Sequence, residues 1–102
     1  MRKLGDLVHK VRSKNAGPFW VTCDIFCGSS DAFNAISQNL TTERVAGVFR
    51  QPQDAIKRFD ISDLNVIKFS LPRPVVQGSR FDRDMHGAQY GVLLAELELE
   101  LS

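Results

Sequence analysis

The chain has no apolar run near the roughly 18 residues that a membrane-spanning helix needs, so no membrane span is expected. Histidine is scarce. His9 and His86 are the only two, and neither stands at a recognised metal-ligand spacing from the two cysteines, Cys23 and Cys27. No metal site is expected from such a set. Charge of neither sign dominates: 13 Lys and Arg stand against 12 Asp and Glu, a net charge of +1. Binding to nucleic acid rests on neutralising phosphates with a basic field, so nucleic acid is not expected as the main partner. The start, Met1-Arg2-Lys3-Leu4-Gly5-Asp6, has cations but no apolar stretch after them, and no secretory signal is expected. Cys23 and Cys27 fall in one predicted strand. Four residues of strand cover about 13 Å, too far for a disulfide between them. Two reduced thiols point to a cytoplasmic protein. No repeat, low-complexity tract, dinucleotide fingerprint or P-loop is present, and no cofactor is expected.

What is present suits one small globular domain covering residues 1–102, with 43% hydrophobic and 25% charged residues. A domain of this size buries one modest core. A functional site therefore belongs on an edge, in a loop or between subunits.

The period of the apolar residues predicts the elements. Leu4, Leu7, Val8 and Val11 fit a short helix, with a strand as the alternative. Phe19, Val21, Cys23 and Ile25 alternate with Trp20, Thr22 and Asp24, which predicts a strand with one inward face. Trp20 and Phe26 fall on its other face, with Cys27 at the exposed end of the strand. Gly28-Ser29-Ser30-Asp31 offers N-caps to a helix whose apolar stripe is Ala32, Phe33, Ile36 and Leu40. A second helix starts with Thr41 as N-cap, Leu40 and Val45 forming a hydrophobic staple. It turns Val45, Val48 and Phe49 to the core and ends by Pro52. A short strand is expected within Ala55 to Ile61, then a turn at Asp60-Ile61-Ser62-Asp63. The next strand, Val66 to Leu71, has Ile67, Phe69 and Leu71 on one face and Lys68 and Ser70 on the other. Gln77 to Gly87 is a long polar loop, and Gly87 to Leu94 a short helical turn. Ala95, Leu97, Leu99 and Leu101 alternate with Glu96, Glu98 and Glu100, a terminal strand with one acidic face. The element order fits an α+β, ferredoxin-like two-layer sandwich, a mainly antiparallel sheet with helices on one face.

Two segments are dense in groups that carry chemistry. The first is the predicted loop Arg12-Ser13-Lys14-Asn15-Ala16-Gly17-Pro18-Phe19. Arg12 and Lys14 attract a carboxylate or phosphate, Ser13 and Asn15 donate hydrogen bonds to it, and Gly17 permits close backbone approach. The same residues also suit a plain turn with solvated cations. The second is Pro72-Arg73-Pro74 followed by the polar loop through Gln89. Arg73 and Gln89 are anion-binding candidates there, and Asp84 with His86 makes a candidate acid/base pair, since a carboxylate orients an imidazole near neutral pH. A polar surface loop with cancelling charges is the alternative.

Arg12 to Phe19 with Asp24-Ile25, then Pro72-Arg73-Pro74 with Gly78-Ser79, then Asp82, Asp84 and His86-Gly87-Ala88-Gln89 resemble three motifs of one small family. It is the family associated with the acyclic terpene utilisation protein, AtuA. The chain is also similar to the small C-terminal domain of AtuA-type proteins, whose Arg-Ser-Gly-Asp-Lys-Gly-Asn motif Arg12-Ser13 and Asn15 loosely match. The family commonly has an aromatic residue where His86 stands. The resemblance runs from about Leu4 to Leu99. It implies a ferredoxin-like fold and an accessory small subunit that works with a larger AtuA-type chain. The implied setting is breakdown of branched acids or their coenzyme A thioesters, with polar loops facing an anionic substrate. Two other functions suit the residues. One is a stand-alone lyase or hydratase with its site at a homo-oligomer interface, and the other is a small-ligand sensing module.

Overall fold

A computed structural model of the chain describes residues 2–17, 19–72 and 88–99. Strand β1 (Arg2–Lys3) leads into helix α1 (Leu4–Leu7), then strands β2 (Lys10–Asn15) and β3 (Trp20–Phe26). Helices α2 (Ser30–Asn39) and α3 (Thr42–Phe49) follow, then strands β4 (Lys57–Ile61) and β5 (Val66–Pro72), helix α4 (Ala88–Ala95) and strand β6 (Glu98–Leu99). The four longer strands form an antiparallel sheet in the order β2-β3-β5-β4, while β1 and β6 make a separate two-stranded ribbon. β3 and β4 both run antiparallel to β5 and so are parallel to each other, with α2 and α3 between them in sequence. That is a split β-α-β unit. The chain is thus an α+β protein with antiparallel sheets, compatible with a two-layer sandwich.

One sheet face is the core. Val21, Cys23 and Ile25 of β3 and Ile67, Phe69 and Leu71 of β5 are fully buried there, packed in one cluster with Phe33, Ile36, Leu40 and Val45 of the helical side. Each large aliphatic or aromatic side chain removed from water in this way contributes about 1.5–3 kcal/mol. Both helix starts are capped where hydroxyls stand. Ser29 Oγ accepts from Ala32 N–H at 3.1 Å and Thr41 Oγ1 from Arg44 N–H at 3.2 Å. α3 stops at Arg50, which adopts a left-handed conformation, and Gln51 N–H donates back to Ala46 O at 3.0 Å. Arg58 ties β4 to the end of α2, donating from Nη1 to the Leu40 carbonyl and from Nη2 to the Ser37 carbonyl, while Nε and Nη2 hold the Asp60 carboxylate.

Several expectations change. The first segment is helix and strand in succession, because Leu4 alone is fully buried in α1 and the chain then turns to pair Lys10 with Phe26. The expected loop from Arg12 begins as strand. Arg12 to Asn15 pair with Asp24 to Val21, and the turn comes only after them, closed by Ala16 N–H donating to Trp20 O at 2.9 Å. Phe19 belongs to that turn and is 60% exposed rather than inward. Cys27 lies just past β3 but is buried, since its N–H bonds Asn65 O and the chain folds over it. Ala55 sits in a 3₁₀ turn, Gln53–Ala55, before β4. Ala95 ends α4 instead of opening a strand. Gln89 to Ala95 carries no charge and no β-pairing partner, so local helical bonds prevail. The inward side of the terminal alternation survives in Leu99, which is buried where β6 pairs with β1.

Candidate functional site

Strand period 2 divides the Arg12-Ser13-Lys14-Asn15 segment between two sheet faces. Ser13 and Asn15 are half-buried on the helical side, whereas Arg12 and Lys14 are exposed on the other. Ser13 Oγ accepts the Gly91 N–H at 2.6 Å, so the serine anchors α4 to the sheet. A cleft of about 380 Å³ runs beside this contact, between Val11, Arg12 and Ser13 of β2 and Gly91, Val92 and Ala95 of α4. Ser13 of the first segment is thereby joined to the helix that carries Gln89. Gln89 itself is exposed. Gly17 has φ +84°, and nothing lies within 4 Å of where its Cβ would stand. Its freedom serves the turn, and no cavity wall is built on it. Arg73, Asp84 and His86 lie outside the described residues.

The outer sheet face holds the cations. Register places Arg12 opposite Asp24, Asp24 opposite Lys68 and Lys68 opposite Phe59, one row across all four strands. The next row is Lys14, Thr22, Ser70 and Lys57. Lys10 lies over the Phe26 ring at 4.9 Å and Lys57 over the Trp20 ring at 5.7 Å. Lys10, Arg12, Lys14, Lys57 and Lys68 thus share a face on which Asp24 is the only acid among the described residues. Phe59 is 50% and Trp20 38% exposed on it. A cavity of about 290 Å³ opens between Arg12, Lys14, Asp24 and Phe26. Asp24 Oδ1 is buried at its wall and has no hydrogen-bond partner. An unpaired buried acceptor is costly, so this oxygen calls for a donor.

Sequence reasoning selected Arg12 and Lys14 as anion-binding residues and Asp24 only as part of a family motif without a role, and it did not select Lys57, Lys68 or Phe59. The alternation did put Asp24 and Lys68 opposite the inward residues of their own strands. It carried no signal that those strands are neighbours.

The thiols are poor nucleophiles. Burial, with Asp24 next to it, pushes the Cys23 thiol up to about 12. Burial and then Asp60 push Cys27 up to about 11. Both are free thiols. Among the described residues no group of three or more His, Cys, Asp and Glu is placed to hold a metal ion. No helix among them is long and apolar enough to cross a membrane.

Fold and site together define a small α+β protein whose outer sheet face is cationic and set with exposed aromatic rings. The family model described as Domain of unknown function (DUF4387) matches residues 4–98, and the chain belongs to that family. No curated protein and no solved structure matches the chain.

Proposed function

We propose that this protein is the small accessory subunit of an AtuA-type complex acting in breakdown of branched acids or their coenzyme A thioesters. In this reading the outer sheet face supplies cations to the anionic substrate. The carrying observation is that Arg12 and Lys14 flank one cavity on a face shared with Lys10, Lys57 and Lys68. Cations grouped around a concave surface raise the local concentration of an anion even when the whole chain is near neutral. The shape of the chain supports a partner. α4 has no charged residue, and its Val92 and Leu93 are 56% and 52% exposed. An uncharged helix that leaves two large aliphatic side chains in water offers a surface for another chain to cover.

The reading includes a ferredoxin-like fold, supported by the split unit of β3, α2, α3 and β4 around β5. The edge beside β3, which in that fold belongs to the strand after the last helix, is here taken by β2 from the N-terminal side. It also includes a cytoplasmic location, supported by the two free thiols.

Co-expression with a larger AtuA-type chain, with a tag on the small chain alone, tests the reading. A stable complex is expected, and Arg12→Ala with Lys14→Ala should weaken substrate binding to the complex without dissolving it. Failure to associate, with the large chain fully active alone, would sink it.

A further inference from the structure

We infer that the outer sheet face binds a nucleoside diphosphate laid across the row Phe59, Lys68, Asp24, Arg12. This rests on the anion site proposed above and names the chemical class of its ligand. The order of side chains carries the inference. From one sheet edge to the other the row offers an exposed ring, a cation, a carboxylate and a cation. Three interstrand spacings make the row about 14 Å long, comparable to an extended nucleoside diphosphate. A nucleobase stacks on Phe59, whose ring is 50% exposed and has no other role in the core. A ribose hydroxyl comes over Asp24 and donates to its partly exposed carboxylate, whose Oδ1 has no partner in the protein. The diphosphate reaches the cavity that Arg12 and Lys14 flank.

Asp24 decides against a bare anion. A carboxylate in the wall of the cavity repels phosphate and carboxylate alike, and its oxygen needs a donor. A ligand with an anionic end, a hydroxylated middle and a flat ring meets all three demands. The net charge of +1 decides against a nucleic acid strand. The cations are local to this face, and a longer polyanion would leave it for neutral or acidic surface.

Calorimetric titration of the full chain with ADP, pyrophosphate and a single-stranded oligoadenylate tests this. ADP should bind about tenfold more tightly than pyrophosphate, the usual worth of one base stacked on an aromatic ring. Phe59→Ala, on the solvent side of an edge strand, should remove that difference with the fold intact by circular dichroism. Asp24→Asn should move the two ligands in opposite directions, weakening ADP and tightening pyrophosphate. Equal affinity for ADP and pyrophosphate overturns the nucleotide assignment while leaving the anion site standing. So does unchanged ADP binding in Phe59→Ala. Oligoadenylate binding more than about tenfold tighter than ADP also overturns it, making the face a nucleic acid surface. Loss of association with the large chain overturns the accessory-subunit reading and leaves ADP binding untouched.

Discussion

Ser13 and Gly91 tie helix to sheet through a short hydrogen bond, Gly91 N–H to Ser13 Oγ at 2.6 Å. A Cβ added at Gly91 would stand 3.0 Å from that oxygen, 3.1 Å from Ser13 N and 3.2 Å from Arg12 C. Two of those atoms are backbone and cannot swing away. In a free helix Gly→Ala gains about 1 kcal/mol. Here the clash should win, and Gly91→Ala should destabilise by about 1–3 kcal/mol. Urea denaturation checks it. A stabilised variant would show that α4 stands farther from β2. Ser13→Ala should cost about 1 kcal/mol by the same measurement, leaving the Gly91 N–H without its acceptor.

Arg58 is the second long-range tie. Its guanidinium reaches the carbonyls of Leu40 and Ser37, pairs with Asp60 and lies 5.6 Å from the Phe69 ring centre. Arg58→Ala should cost about 2 kcal/mol, since the carbonyls at the end of α2 lose a charged donor. Arg58→Lys should not restore stability, because an ammonium cannot span both carbonyls and Asp60 at once. Thermal melts of the two variants side by side decide the point.

The cysteines make stability fall in alkali. Both thiols have folded pKa values raised from 9.0, Cys23 to about 12 and Cys27 to about 11. Above pH 9 the unfolded chain releases these protons while the folded chain keeps them, so the unfolded state binds fewer protons and stability declines with rising pH. The decline should span from about pH 9 to the folded values, with full stability below it. Cys23→Ala with Cys27→Ala should flatten that slope in denaturation curves from pH 8 to 11, the other alkaline groups setting what remains. At neutral pH a thiol reagent should label the native chain slowly and the urea-unfolded chain fast.

Thr41 caps α3 through its side chain, accepting the Arg44 N–H at 3.2 Å. Thr41→Ala should therefore lower stability by about 1 kcal/mol. Phe59→Ser is the contrast. That ring is half exposed on the outer face, and its loss should change stability by less than about 0.5 kcal/mol. A large loss in the second variant would mean that Phe59 belongs to a core and not to a binding face.

Much of this was legible. The cap at Thr41 and the apolar stripe ending at Leu40 rest on contacts within a few residues, and local chemistry suffices to find them. The faces of β3 and β5 were legible for the same reason, since alternation is a property of one strand. The start of the Arg12 segment was misread because its polar residues look like a loop by composition. They alternate as Val11, Ser13 and Asn15 against Arg12 and Lys14, a strand pattern in which the half-buried side is polar. What makes that polarity tolerable is Gly91, 78 residues away, which gives Ser13 its partner.

The sequence by itself determined which side chains of β3 and β5 turn inward and where α2 and α3 start, because sterics and capping act over neighbouring residues. Only the tertiary structure decided that residues 12, 24, 68 and 59 form one row. That row depends on which strands pair and in what register, and pairing between distant strands leaves no spacing in the chain to read. The same pairing turned a nearly neutral composition into a cationic face.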